Sequence, residues 1–314
     1  MCRSKEKGMV IIMVTKLATA SINVVYDKQA NLKKFLSFID EAADRGAELL
    51  VLPEQSLQGY LPSMTELDLS HYWYQYDNAE TVPDGDSVSA IVEKAAKRNI
   101  YVVFGMTEKD AETDYKLFNT AVLTGPDGYV GKYRKVHRPL DELHYYYAGS
   151  EFPVYPTRIG KIGLMICYDK AFPESARESA LGGAEILAAP LAWPLSAHKN
   201  ASDPETDPNL DEHRLYDRVR AMENQIIFIS SNQFGICGKG SYLGNSNIVG
   251  PNGAILATTG YQEGIAYAEL DLKKEIYRGK TIGMMGSNLM RERKPTVYRK
   301  LGRCMENQPP ETDG

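Results

Sequence analysis

With 314 residues, 43% of them hydrophobic and 25% charged, the chain can bury a large core and is long enough for one large α/β unit. Its formal net charge of −5 argues against a nucleic-acid partner. The four cysteines, Cys2, Cys167, Cys237 and Cys304, are widely spaced with no CxxC pair. That pattern speaks against a zinc site or a disulfide framework and for reduced thiols in a cytoplasmic setting.

From the N-terminus, the apolar piece 9–14 is too short for a signal peptide and far too short to span a bilayer, so no membrane contact is expected. Residues 1–14 read as a tail running into the first strand. Leu32, Phe35, Leu36, Ile39, Ala42 and Ala43 recur at helical spacing, and Gly46 is a suitable stop. Val51-Leu52-Pro53-Glu54 is a buried strand ending in a carboxylate, followed by a polar loop with Gln55, Ser56, Gln58, Gly59 and Tyr60. Glu54 is either a loop carboxylate facing water or a general base whose pKa burial raises. Lys132-Tyr133-Arg134-Lys135-Val136-His137 leaves a hairpin, with Tyr133, Lys135 and His137 on one face. Lys135 is either an exposed edge-strand lysine or an ammonium that steadies a developing oxyanion. Tyr145-Tyr146-Tyr147 reads as a pocket rim, a dimer contact or a packed turn.

Ile162-Gly163-Leu164-Met165-Ile166-Cys167 is an apolar run that stops at a thiol and turns polar at Tyr168-Asp169-Lys170. A strand ending there sets the sulfur at the mouth of a sheet, where α/β proteins bind ligands. A lone cysteine often only fills a core. Here a carboxylate and a cation at two other strand ends supply what a thiol nucleophile needs for acyl transfer. Trp193 either walls a pocket together with Tyr60 or caps the core. Residues 201–211 are polar, with Pro204 and Pro208, and read as a lid or a surface loop. Residues 307–311 read as a disordered end.

The chain also repeats itself. Gly46-Ala47-Glu48 before one strand is echoed by Gly183-Ala184-Glu185 before another. Asn99 and Asn224 open similar apolar runs, and the turns Gly125-Pro126-Asp127-Gly128 and Gly250-Pro251-Asn252-Gly253 have the same spacing of 125 residues. Two similar halves, each a helix-covered sheet, can bury their bare faces on one another. The expected fold class is therefore α/β, a four-layer αββα sandwich built from two similar halves.

Three segments carry a resemblance that covers about Thr15 to Asp271: Leu52-Pro53-Glu54 with Gly59-Tyr60, Tyr133-Arg134-Lys135-Val136-His137, and Cys167-Tyr168-Asp169 with Phe172-Pro173-Glu174. Arg220-Ala221-Met222-Glu223-Asn224, Asn232, Gly235 and Gly244-Asn245-Ser246 complete it. The ordered set resembles the nitrilase superfamily of carbon–nitrogen hydrolases. The resemblance implies the αββα sandwich, with a hydrolase domain over 15–275 and a C-terminal extension over 276–314 serving as an oligomer contact. It implies Glu54 as general base, Lys135 as oxyanion stabiliser, Cys167 as nucleophile, the Tyr168 N–H as a second oxyanion donor and Glu142 as a supporting group. The implied reaction is hydrolysis of a small amide through a thioester, with release of ammonia. N-carbamoyl amines or N-carbamoyl amino acids are the alternative substrates. No metal, nucleotide or organic cofactor is implied, and a homodimer or higher homo-oligomer is expected.

Two departures matter. Nitrilases typically carry Cys-Trp-Glu where this chain has Cys167-Tyr168-Asp169, which favours amides over nitriles. D-amino-acid carbamoylases usually carry two arginines where this chain has Lys170 and Ala171, which leaves Lys170 as a surface lysine or an anchor for a substrate carboxylate. Competing readings are a Cys-His hydrolase, with His137, His144, His198 or His213 as base, and a non-catalytic scaffold.

Overall fold

The computed structural model describes residues 14–61, 68–140, 142–196, 204–281 and 286–303. The expected tail before Val14, the expected disordered end and His198 lie outside the described residues. The first half holds β1 (Thr15–Asn23), α1 (Lys28–Asp44), β2 (Leu49–Val51), α2 (Leu69–Asn78), α3 (Asp86–Arg98), β3 (Tyr101–Lys109), β4 (Leu117–Gly125) and β5 (Gly128–Arg134). After α4 (Glu142–Tyr145), the second half holds β6 (Val154–Thr157), β7 (Gly160–Leu164), α5 (Pro173–Leu181), β8 (Ile186–Leu191), α6 (Pro208–Asn224), β9 (Ile227–Cys237), β10 (Gly240–Leu243), β11 (Asn247–Val249) and β12 (Ile255–Thr258). The chain then returns through β13 (Gly264–Leu270) to α7 (Leu272–Thr281) and α8 (Leu289–Glu292).

Strand pairing resolves these elements into two sheets of the same plan. One runs β13-β1-β2-β3-β4-β5 and the other β6-β7-β8-β9-β11-β12. In each, the three central strands are parallel and the flanking ones antiparallel. A short parallel contact, Ile22 with Gln233 and Asn23 with Phe234, joins them. The repeat in the sequence is visible in the hydrogen bonds. Glu48 donates its N–H to Lys16 O and accepts from Tyr101 N, while Glu185 donates to Lys161 O and accepts from Ile227 N.

The helix ends show one slip in the sequence alignment of the halves. The left-handed cap that ends α3 is Asn99, at φ 54°, but the one that ends α6 is Gln225, at φ 55°. Strands β3 and β9 consequently start 126 residues apart, although the hairpin turns keep 125. Asn224 invites the wrong pairing because Asn is the commoner left-handed residue. In the structure Asn224 still belongs to the helix, its amide donating to Arg220 O at 3.0 Å.

Alternation along the strands decides which sheet face goes where. Leu17, Leu49, Val51, Tyr101 and Val103 pack with Leu164, Ile186, Ala188 and Ile229 between the sheets. Ala18, Ala20, Ile22, Leu50, Val102 and Phe104 pack instead beneath α1 and α3 with Phe35, Ile39, Val88 and Ile91. Helices α5 and α6 cover the second sheet through Ala176 and Ala221. The result is helices, sheet, sheet, helices. Among the described residues no helix is long and apolar enough to cross a membrane.

Two loops differ from expectation. The polar stretch after β2 is buried throughout, Gln55, Ser56 and Gln58 included. Its backbone and amides find partners in the surrounding layers: Gln58 Oε1 accepts from Thr107 N at 2.9 Å, Gln75 donates to Gly59 O at 2.7 Å and Asn31 to Leu57 O at 3.1 Å. A loop can be buried when its polar groups are satisfied in this way. Of the stretch 201–211, Asp207 is the N-cap of α6 and Pro208 its first residue, so its second part is helix rather than loop. Residues 201–203 are outside the described residues. The three tyrosines form a packed turn, with Tyr145 and Tyr146 buried and Tyr147 N–H bonded to Leu117 O at 2.8 Å.

Strand β3 approaches the turn after β2 backbone to backbone. A Cβ on Gly105 would sit 2.5 Å from Glu54 Cα and 2.6 Å from both Gln55 N and Pro53 O. Gly105→Ala should therefore destabilise the fold by about 1–3 kcal/mol, as overpacking does. Urea denaturation measures this, and unchanged stability would mean that the turn yields freely.

Candidate active site

The strands of both sheets bring reactive side chains to one rim. Glu54 follows β2, Lys135 follows β5, Ala192 follows β8 and Cys167 follows β7 after two residues. Each sits just past the carboxyl end of its strand, the end at which α/β sheets place ligands. Lys135 extends the β5 ladder by one bond, its N–H meeting Asn119 O at 2.8 Å, and its side chain turns inward.

Lys135 Nζ lies 2.7 Å from Glu54 Oε1 and 2.7 Å from Glu142 Oε1, and none of the three side chains is exposed. Asn119 donates to Glu54 Oε1 at 2.7 Å and to Glu142 Oε2 at 3.3 Å. The hydroxyl of Tyr60 donates to Glu142, and the Ala192 N–H donates to Glu54 Oε2 at 2.8 Å. Two carboxylates thus share one ammonium, and neutral donors hold the remaining lone pairs. Burial opposes the charge on Lys135, but Glu142 and Glu54 outweigh it and hold the ammonium above its ordinary pKa. Burial and the nearby Glu54 raise Glu142 from 4.5 to about 6, against the pull of Lys135.

Cys167 opens a short 3₁₀ turn, Cys167–Ala171, with its backbone at φ +45°. A non-glycine residue in that region costs about 1–3 kcal/mol and marks a position the surroundings enforce. The thiol is within hydrogen-bond reach of Glu54 and of the Ala192 N–H. Burial is the largest influence on it and raises its pKa well above the ordinary value; Glu54 adds to this and Lys135 opposes it. Burial and Glu54 thus both favour the neutral thiol, and the Glu54 carboxylate lies within hydrogen-bond reach of it. Tyr168 is the next residue of the turn and half-buried, its ring edge-on to Phe172. Its N–H is one of the first of the turn, which have no acceptor within the helix.

The remaining sequence candidates are placed as follows. Glu54 and Lys135 are not the exposed loop and edge residues that their polar neighbourhoods allow; both are sealed in. Tyr60 bonds Glu142 through its hydroxyl and is only 2% exposed. Trp193 is half-buried against the core between the sheets, its Nε1 donating to Asn209 O at 3.0 Å. Lys170 is not a surface lysine: its side chain is fully buried and its ammonium is paired with Asp217 Oδ1 at 3.0 Å. A lysine three residues past Cys167 can point inward here because α6 carries that carboxylate to meet it. The candidate histidines among the described residues stand in other surroundings. His137 stacks on Phe172 at 3.8 Å and bonds Asp169, His213 lies between Lys170 and Asn245 O, and His144 is exposed on α4.

Two residues escaped the sequence reading. Asn119 sits in mid-strand, where nothing but its polarity in an apolar run hints at a role. Asp169 belongs to the quoted Cys-Tyr-Asp motif, yet its partners are remote in sequence. Its carboxylate accepts from Ile166 N at 2.9 Å, His137 N at 3.0 Å and Tyr133 OH at 2.6 Å. It ties the Cys167 turn to the Lys135 segment.

The sequence model of the family described as carbon–nitrogen hydrolase matches residues 16–276. The human protein named omega-amidase NIT2 is 33% identical over 272 residues, 82% of this chain and 89% of its own. A protein of Schizosaccharomyces pombe named probable nitrilase C965.09 is 30% identical over 281 residues, 88% of this chain and 94% of its own. The crystal structure of Saccharomyces cerevisiae Nit3, described as a member of branch 10 of the nitrilase superfamily, superposes with a TM-score of 0.73 at 28% identity, covering 87% of this chain and 95% of that one.

Glu142 binds its proton more tightly folded than unfolded. Its contribution to stability is complete below about pH 4.5 and is lost as pH rises through about 6. The unfolding free energy of the wild type should therefore fall relative to that of Glu142→Gln between pH 4.5 and 6. Urea denaturation of both proteins across that window measures it, and a constant difference would contradict the raised carboxyl.

Proposed function

Because this chain belongs to the carbon–nitrogen hydrolase family, we propose that it hydrolyses the amide of a small linear substrate through a thioester on Cys167. The observation that carries the proposal is the convergence of one thiol, one carboxylate and one ammonium at a single buried point. A thiol needs a base to become a nucleophile, and the carbonyl it attacks needs a positive partner for the oxygen.

Glu54 takes the proton from the Cys167 sulfur as it adds to the amide carbon. The Lys135 ammonium and the Tyr168 N–H receive the negative charge that gathers on the oxygen. Glu54 passes its proton to the leaving nitrogen, the carbon–nitrogen bond breaks and ammonia departs, leaving a thioester. A water molecule gives a proton to Glu54 and adds to the thioester carbon. The carbon–sulfur bond breaks, the carboxylic acid leaves and the thiolate recovers its proton from Glu54. Glu142 bonds Lys135 independently of Glu54, so that the ammonium stays in place when Glu54 becomes neutral.

An amide fits the site better than a nitrile, since Tyr168-Asp169 replaces the Trp-Glu that follows the cysteine in typical nitrilases. The name of the human relative points to an ω-amide. Pairing of Lys170 with Asp217 Oδ1 at 3.0 Å weighs against that lysine as an anchor for a substrate carboxylate, while N-carbamoyl amines and N-carbamoyl amino acids stay the alternative substrates. We further propose that the protein works as a homo-oligomer in the cytoplasm, with residues 15–275 as the hydrolase domain and 276–314 as an extension that meets a second copy.

Ammonia release from a panel of aliphatic amides, ω-amides, N-carbamoyl amines, N-carbamoyl amino acids and nitriles tests the reaction. The amides should turn over. Cys167→Ala should abolish turnover, and Glu54→Gln and Lys135→Met should each reduce kcat by about 100-fold or more. Turnover that survives both Glu54→Gln and Lys135→Met would instead support a histidine base.

A further inference from the structure

We infer that Lys170 is a positioning residue for this reaction, clamping Trp193 so that the loop carrying Ala192 stays in register with the turn carrying Cys167. The inference rests on the functional reading above and adds a part to its machinery.

Lys170 lies three residues past Cys167 on the same 3₁₀ turn. Its Nζ is 2.5 Å from His213 Nδ1, 3.2 Å from His213 O and 3.0 Å from Asp217 Oδ1. The state of His213 follows from its other nitrogen. Nε2 faces Asn245 O at 2.8 Å, and a carbonyl only accepts, so the ring hydrogen is on Nε2 and Nδ1 accepts from the ammonium. Burial lowers the pKa of His213 to about 4, which keeps the ring neutral at ordinary pH. Asp217 is satisfied on its far side by Ser230 Oγ at 2.6 Å and Asn247 Nδ2 at 3.1 Å. The cluster is thus a buried network of one cation, one anion and neutral groups. It joins the nucleophile turn to α6, β9 and β11.

The ammonium has one more neighbour, the face of Trp193, whose ring centroid is 4.5 Å away. A desolvated cation over an indole face is a strong and directional contact. The rest of Trp193 is also held: its N–H donates to Asn232 Oδ1 at 2.8 Å, and its carbonyl accepts from Asn232 Nδ2 at 3.2 Å. The residue before it is Ala192, whose N–H bonds Glu54 and reaches the Cys167 thiol. A closed path therefore runs from Cys167 through Lys170, Trp193 and Ala192 back to Glu54 and the sulfur. The lysine is the only link in that path that is not backbone continuity or a bond at the reacting groups. A displaced Ala192 N–H would alter the distance over which the thiol proton moves, and small displacements of reacting groups can cost about 100-fold in rate.

The test separates this role from mere neutralisation of Asp217 and from capture of a substrate carboxylate. It uses Lys170→Met and the double variant Lys170→Met/Asp217→Asn, which carries no unpaired buried charge. Both are made in a Trp73→Phe background; the chain has two tryptophans, and Trp73 is 58% exposed, so Trp193 then reports alone. Readouts are kcat and KM for a neutral amide and for one bearing a carboxylate, Trp193 emission, and the rate at which iodoacetamide alkylates Cys167. The double variant should regain the thermal stability lost in the single one. It should still show kcat lowered about 10- to 100-fold for both substrates with KM nearly unchanged, altered Trp193 emission and an altered alkylation rate. Wild-type kcat and emission in the double variant would overturn the inference. So would a loss confined to KM for the carboxylate-bearing amide, which would mark Lys170 as a substrate anchor. If the wild type turns over no amide, the functional reading fails separately, while emission and alkylation still decide whether Lys170 orders the two segments.

Discussion

Two carboxylates share one ammonium in the interior of this protein, with all three side chains removed from solvent. Removing one partner from such a group leaves a buried charge uncompensated, at a cost of about 3–5 kcal/mol. Much of the surrounding architecture follows from meeting that requirement. Strand β4 contributes Asn119 to both carboxylates, the turn after β2 contributes Tyr60 to Glu142, and the loop after β8 contributes the Ala192 N–H to Glu54. Both sheets must therefore end at the same rim, and the buried loop after β2 must be held from all sides. The close approach of Gly105 to the backbone of Glu54 belongs to the same packing problem.

The turn that carries Cys167 is secured in two directions by adjacent residues. Asp169 reaches toward the Lys135 segment through His137 and Tyr133, while Lys170 reaches toward α6 through Asp217. Between them, Cys167 keeps a left-handed backbone that an unsupported chain would relax. Rigid support of this kind suits the proposed chemistry. A neutral buried thiol gains reactivity only when its base and its oxyanion donors are already in place, because reorganising them during the reaction would add to the barrier.

The two halves repeat one sheet plan, yet the site draws different parts from each. The glutamates after Gly-Ala, Glu48 and Glu185, keep the same backbone role in both halves. At the opposite rim the halves differ. The strand β2 leads to Glu54, whereas its counterpart β8 leads to Ala192 and Trp193. One half supplies the proposed base and the other an N–H that holds it. Stacking the sheets face to face brings the two together.

The sequence by itself determined the periodic features. Apolar runs marked the strands, helical spacing and Gly46 marked α1, and the recurrent Gly-Ala-Glu and Pro-Asx-Gly pieces disclosed two equivalent sheets. The order of Glu54, Lys135 and Cys167 at strand ends was legible for the same reason, because a strand that stops at a polar residue shows where its carboxyl end lies. Burial of those polar residues was decided only by the tertiary structure. Nothing local distinguishes Glu54 from a solvated loop carboxylate, since its partners Lys135, Asn119 and Ala192 are 65 or more positions away. Lys170 is the sharpest instance. Its neighbours in sequence allow a surface position, and it lies inside because α6 brings Asp217 from 47 positions on. A charged side chain is buried when a distant partner offsets its desolvation, and whether one arrives is a property of the fold rather than of the segment.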